Sequence, residues 1–158
     1  MRIIFKLIIK IRKIWIYKIL NKTTCGVRVI LLNKNRILLI KHPYDDYWVL
    51  PGGGIKKKET PTKAAIRECL EETGYKILEP LEKLGEYKNF QNQKRDFVSV
   101  YVNKIHFGRK YKTSLIDQLE IEKIKWFKLS KLPKTSAATE RRIAEVYRGD
   151  FQNEIREW

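Results

Sequence analysis

Disulfides are the first thing this chain does without. Its two cysteines, Cys25 and Cys69, make neither a disulfide framework nor a metal-ligand spacing, and two reduced thiols suit the cytoplasm. Cys69 falls at a core position of a predicted helix, where a thiol acts as a small hydrophobe. Internal repeats and low-complexity linkers are missing too, and so is acid at the N-terminus. Residues 1–20, MRIIFKLIIKIRKIWIYKIL, hold 14 apolar and six basic side chains and no Asp or Glu. The longest uncharged run there is four residues, Ile14 to Tyr17, too short for a signal peptide. Lys10, Arg12 and Lys13 would cost roughly 2.5–3.5 kcal/mol each near a bilayer centre, more than the neighbouring Ile, Leu and Phe return. A spanning helix is disfavoured.

What this stretch does predict is a basic amphipathic helix over residues 1–22. At 100° per residue Arg2, Lys6, Lys10 and Lys13 share one face, opposite a broad apolar surface. Three roles stay open: lying on an anionic membrane surface, packing on the domain or on a second subunit as a homo-oligomer, or serving as a nucleic-acid arm. The whole chain carries a formal net charge of +16. Such a surface attracts nucleotides, RNA or an acidic membrane, but heavy use of Lys, Ile and Asn gives the same excess by composition alone.

With 158 residues, 43% hydrophobic and 33% charged, the chain fits one soluble domain with a core and does not read as disordered. We place that domain at 23–150, with 151–158 as a C-terminal tail. Residues 24–32 and 37–42 read as two strands joined by the polar turn Asn33 to Arg36, a hairpin. Trp48 to Leu50 is a short strand, stopped by Pro51-Gly52-Gly53-Gly54. Residues 61–73 read as a helix, with Thr60 as cap, Pro61 in the first turn and Gly74 at the end. Strand patterns follow at 76–88, 96–107 and 122–129, and a helix near 138–148 ends at Gly149. Sheet, helix, sheet, helix predicts a mixed α/β sandwich.

The chemistry is concentrated between Gly53 and Tyr75. Ile66, Cys69, Leu70 and Thr73 form the helix's predicted buried stripe, and Glu68, Glu71 and Glu72 fall at i, i+3, i+4 on a neighbouring one. Like charges so spaced repel, and on a bare helix they would be a solvated acidic face. Around a divalent cation the repulsion becomes coordination, and Mg²⁺ prefers such hard oxygen ligands. A glycine-rich turn feeds the helix, so a backbone carbonyl can come close. Arg67 sits beside the glutamates, with Glu59 upstream to hold it.

This arrangement resembles the Nudix hydrolase family (MutT-like), whose box reads G-x5-E-x7-R-E-U-x-E-E-x-G-U, with U bulky and apolar. Gly53, Glu59, Arg67, Glu68, Glu71, Glu72 and Gly74 supply every fixed position, and Cys69 and Tyr75 the U positions. The resemblance implies an α/β/α sandwich and a pyrophosphohydrolase cleaving a nucleoside diphosphate linked to another group. It implies Mg²⁺ or Mn²⁺ on Glu68, Glu71, Glu72 and the Gly53 carbonyl, with Glu59 and Arg67 as a supporting ion pair. The base would be a box glutamate such as Glu68, or a downstream acid, for which Glu120 is the candidate.

Candidate substrate residues are Arg28, placed mid-strand on the side of Gly26 and Ile30, and Lys41, which ends the next strand. Lys56-Lys57-Lys58 could attract a polyanion or be merely solvated. His42, Tyr44, Tyr47 and Trp48 could meet a base or simply pack. The alternative function is a nucleotide- or RNA-binding module, possible at a membrane periphery, and such a module would be expected to lose box carboxylates.

Overall fold

The computed structural model describes residues 24–77, 80–91, 94–104, 107–110 and 121–158. The expected helix at 1–22 and the candidate base Glu120 lie outside the described residues. Two strands open the fold, β1 (Thr24–Asn33) and β2 (Arg36–Lys41). They join as an antiparallel hairpin at Leu32↔Ile37 and Asn33↔Arg36. Helix α1 (Pro61–Thr73) starts where the Thr60 side chain accepts the Lys63 N–H and stops where Gly74 turns left-handed. Then come β3 (Tyr75–Ile77), β4 (Glu82–Gln91), β5 (Lys94–Asn103), β6 (Phe107–Lys110) and β7 (Lys123–Lys128). Helix α2 (Ala137–Arg148), capped by Ser136, and β8 (Ile155–Glu157) complete the chain.

Six strands form one sheet in the order β7-β2-β1-β5-β4-β8, while β3 and β6 pair separately. The sheet is mixed, with β1–β5 and β4–β8 parallel and its other pairs antiparallel. Alternation along the strands feeds two cores. Val27, Val29, Leu31 and Leu38 pack with Ala64, Ala65 and Cys69 of α1 on one face. Ile30, Ile37, Leu39, Leu84, Tyr87 and Val100 pack with Ile143 of α2 on the other. The α/β/α sandwich implied by the resemblance is the observed fold.

Several expectations need correction. The single strand expected over 76–88 is two, β3 and β4, with Pro80 between them, which has no N–H for a ladder. The strand expected over 96–107 likewise ends at Asn103, and Phe107 opens β6. On α1 the buried side chains are Ala64, Ala65, Cys69 and Thr73, with Ile66 and Leu70 only half-buried. The helix sets its smallest side chains flush on β1, which rotates the seam.

Residues 151–158 are not a tail. Ile155, Arg156 and Glu157 pair with Glu86, Tyr87 and Lys88 of β4, and Phe151 and Trp158 pack on the α2-side core. A charged network fastens this segment. The buried Tyr87 hydroxyl donates to Glu145 Oε2 at 2.7 Å and accepts from Arg156 Nη2 at 2.8 Å. Arg142 donates to Glu145 Oε1 at 2.8 Å, and its guanidinium lies 3.8 Å from the Tyr87 ring centroid. Arg156 also pairs with Asp150 at 3.0 Å. Burial, and then the Glu145 carboxylate, push the Tyr87 hydroxyl's pKa up, so it stays a donor.

Candidate active site

The site begins where the two strands of the hairpin part. β1 and β2 pair only at their turn end, and beyond it the segment from Val49 to Ile55 fills the gap. Val49 exchanges hydrogen bonds with Ile40 on one side, while Pro51 and Gly53 carbonyls accept from Val29 and Val27 N–H on the other. The glycine turn is thereby stitched into the sheet. Gly52 has φ +142°, and a Cβ there would come 2.1 Å from the Val27 carbonyl oxygen, so no other residue fits. A Cβ on Gly53 would lie 2.6 Å from the Glu68 carboxylate carbon. The missing side chain is what lets that carboxylate rest on the turn.

Arg67 organises the acids. It grips Glu59 with Nε and Nη2, both at 2.8 Å, and gives Nη1 to Glu68 at 2.7 Å and Glu71 at 2.9 Å. Nη2 also reaches the Gly54 carbonyl at 2.9 Å, so all five guanidinium N–H groups are engaged. Glu59 accepts in addition from the Lys56 N–H at 2.9 Å. Glu72 accepts the Gly52 N–H at 2.7 Å. The expected Glu59–Arg67 pair is present, and Arg67 does more than hold Glu59.

These contacts set the electrostatics. The bond from Arg67, then the Lys56 N–H, hold Glu59 down at about 2. Burial raises Glu68 above its ordinary value, against the opposing pull of Arg67 and Arg28. Burial likewise pushes the Cys69 thiol up to about 12, in keeping with an inert core thiol.

The expected convergence of Glu68, Glu71 and Glu72 is looser than the helical spacing suggests. Arg67 lies between the first two and Glu72 leans on Gly52, so among the described residues no three acid, His or Cys side chains are gathered into a metal shell. The donor set nevertheless fits a hard divalent cation. It is all oxygen, three carboxylates share the Arg67 guanidinium with Glu72 beside them on Gly52, and Glu68 is only 13% exposed. Of the turn's carbonyls, Gly53 O accepts the Val27 N–H within the sheet and keeps a second lone pair, while Gly52 O stands outside the strand ladder and accepts from Arg28.

Residues 22–147 match the NUDIX domain. The chain belongs to the Nudix family. It is 34% identical over 113 residues to a candidate 8-oxo-dGTP diphosphatase of Bacillus subtilis (strain 168), spanning 70% of each chain. It is 49% identical over 43 residues to an RNA pyrophosphohydrolase of Brucella anthropi, a stretch covering 27% of this chain and 25% of that protein. The crystal structure of a MutT NUDIX hydrolase from Burkholderia pseudomallei superposes with a TM-score of 0.67 at 28% identity, over 79% of this chain and 98% of that one. As a Nudix hydrolase this chain acts on phosphoanhydride bonds.

Around the Nudix box the other candidates divide. Arg28 is brought to the box, its guanidinium on the Gly52 carbonyl. Lys41 is half-buried at the end of β2, and its carbonyl accepts the Glu122 N–H at 2.8 Å. Lys56 reaches Glu71 at 3.6 Å as an exposed pair, while Lys57 and Lys58 are simply exposed. His42 stacks on Tyr44, Trp48 packs edge-on against Phe127, and Tyr47 lies under the Lys134 ammonium. Sequence reasoning missed Gly52 as the carbonyl outside the strand ladder and Lys123 as the neighbour of Lys41. The run of three glycines hinted at the first. The second depends on the pairing of β2 with β7.

Proposed function

We propose that this chain hydrolyses a diphosphate bond in a nucleoside diphosphate linked to another group, with Mg²⁺ or Mn²⁺ held by Glu68, Glu71 and Glu72 beside the Gly52–Gly53 turn. The observation that carries this reading is the excess of carboxylate around Arg67, one member of which is buried against the turn. A divalent cation bound there supplies a water of lowered pKa and offsets charge on the phosphoryl oxygens. The rest falls to the chain. Arg67 fixes Glu68 and Glu71 while anchored on Glu59, and the Gly52 N–H orients Glu72. Arg28, on the Gly52 carbonyl, would meet a phosphoryl oxygen, and the proton would pass to Glu68 or to Glu120. The names of the Bacillus and Brucella relatives, a dGTP-derivative diphosphatase and an RNA pyrophosphohydrolase, support a phosphoanhydride in a nucleotide.

The test is a screen of the full chain with Mg²⁺ or Mn²⁺ against nucleoside triphosphates, nucleoside diphosphate conjugates and 5′-triphosphate RNA, reading released phosphate or pyrophosphate. No release from any of them with either metal defeats the proposal.

We place the enzyme in the cytoplasm, with residues 1–20 attaching it to an anionic membrane or to a second copy. Among the described residues no helix is long and apolar enough to cross a membrane. Full-length protein should bind anionic vesicles in a salt-sensitive way, or run as an oligomer, and a chain starting at Lys22 should do neither yet still hydrolyse substrate. A truncated chain that matches the full one in vesicle binding and oligomeric state removes this role.

A further inference from the structure

The cations of the hairpin end form a row that starts beside the box at Arg28 and leads away from it. Continuing the β1–β2 register past Leu32↔Ile37 sets Arg28 opposite Lys41, with the inserted segment Val49 to Pro51 between them. The span is two strand spacings, about 10 Å. Lys41 in turn stands directly opposite Lys123 of β7. Parity puts all three on the sheet face that carries α2, since Ile30, Leu39 and Phe127, each an even number of residues away, pack into the α2-side core. Two lysines in direct cross-strand register repel, a local cost to the sheet. Lys123 is 60% exposed, and it reaches Glu122 at 3.9 Å, at the edge of ion-pair range.

The row meets the box at one residue, Gly52. The Gly52 carbonyl faces the Arg28 guanidinium, and its N–H faces the Glu72 carboxylate. A phosphate chain held at the acids by its cation and passing Gly52 would meet Arg28, then Lys41 and Lys123, with Glu122 at the far edge of the row. We infer that Arg28, Lys41 and Lys123 form an anion subsite that reads charge beyond the scissile diphosphate, selecting substrates with three or more linked phosphates over diphosphates ending in a neutral sugar. This rests on the hydrolase reading and narrows its substrate class. Lys123 is a specificity residue here, not a catalytic one.

The experiment compares Lys123→Gln and Lys41→Gln with Lys128→Gln, which removes the same charge from β7 on the opposite face. On a nucleoside triphosphate, each of the first two variants should lower kcat/KM about tenfold through KM, a charge-assisted contact being lost. On a nucleoside diphosphate sugar the change should stay under about twofold, and Lys128→Gln should change neither. Melting temperatures should hold or rise, because the cross-strand repulsion is relieved. Equal losses on both substrates, or losses matched by Lys128→Gln, overturn the subsite.

Binding of inorganic tripolyphosphate against pyrophosphate to the full chain separates this idea from hydrolysis itself. The wild type should prefer tripolyphosphate about tenfold or more and lose the preference in the Lys41 and Lys123 variants. That pattern without turnover keeps the subsite and fails the hydrolase reading. Turnover without a lysine-dependent preference does the reverse.

Discussion

At the box one guanidinium serves three carboxylates, with a fourth nearby; around Tyr87 two guanidiniums meet two carboxylates. The networks flank opposite faces of one sheet and use the same side-chain chemistry, yet they are built to different ends. Arg142 is 2% exposed and Glu145 12%, and with Arg156 and Asp150 the charges balance. Every partner there is another part of the fold, and the network ties α2, β4 and β8 together. Around Arg67 negative charge is left over and Glu71 stays 35% exposed. A charge-balanced network holds the fold together without a ligand, even though Nε of Arg142 and of Arg156 are buried with no hydrogen-bond partner. An unbalanced one at a glycine turn has capacity for a cation that the protein does not itself supply.

Substitutions should therefore separate the two cleanly. The largest effect is expected from Glu71→Gln or Glu72→Gln, with turnover falling about 10²–10⁴-fold. Stability should be equal or slightly raised, because helical like-charge repulsion is relieved. Phosphate release and melting temperature on the same samples check both halves, and undiminished turnover would end the metal-cluster reading. The mirror case is Glu145→Ala. It strands Arg142 and deprives Arg156 and Tyr87 of a partner, and should cost about 3–5 kcal/mol in urea unfolding. Turnover per folded molecule should stay at the wild-type level; a loss there comparable to that of the box variants would erase the distinction between the networks.

A finer test concerns Glu59, which touches Arg67 but is not proposed as a metal ligand. Glu59→Gln should lower kcat/KM, partly recoverable with excess Mg²⁺. A double-mutant cycle with Arg67→Gln should show about 0.5–3 kcal/mol of coupling. Simple additivity would mean that they do not act as a pair.

The smallest effect is on acid stability. Glu59 is held near 2, below its ordinary 4.5. Its contribution is thus fully present above about 4.5, where the unfolded chain is also ionised, and is lost as pH falls toward about 2. Glu59→Gln should flatten the stability profile in that window and leave its slope above pH 5 unchanged, as measured by denaturant unfolding at stepped pH.

Much of this was legible in the residues. The ends of α1 follow from Thr60, Pro61 and Gly74, and the alternation of Val27, Val29 and Leu31 with Arg28 and Ile30 marks two faces. The box acids stand at fixed helical offsets, so their proximity needs no distant partner. Its ion pair was legible too, since Glu59 and Arg67 lie only eight residues apart across a tight turn. Where the reading failed, a contact reached across the chain. Residues 151–158 looked like a tail because β8 is three residues long and depends on Tyr87 and Glu145, distant in sequence, to hold it.

The helix carrying the acids, the glycine turn before it and the two-faced strands follow from residues near one another in the chain, because caps, φ preferences and side-chain periodicity act within a few residues. Which glycine carbonyl joins the ladder is settled at longer range, since only the splaying of β1 from β2 sets Gly53 O against the Val27 N–H and leaves Gly52 O to the Arg28 guanidinium. Tertiary structure likewise decided that Arg28, Lys41 and Lys123 stand in one row. Their alignment depends on the register of three strands drawn from distant parts of the chain, and register is set by which distant faces pack together.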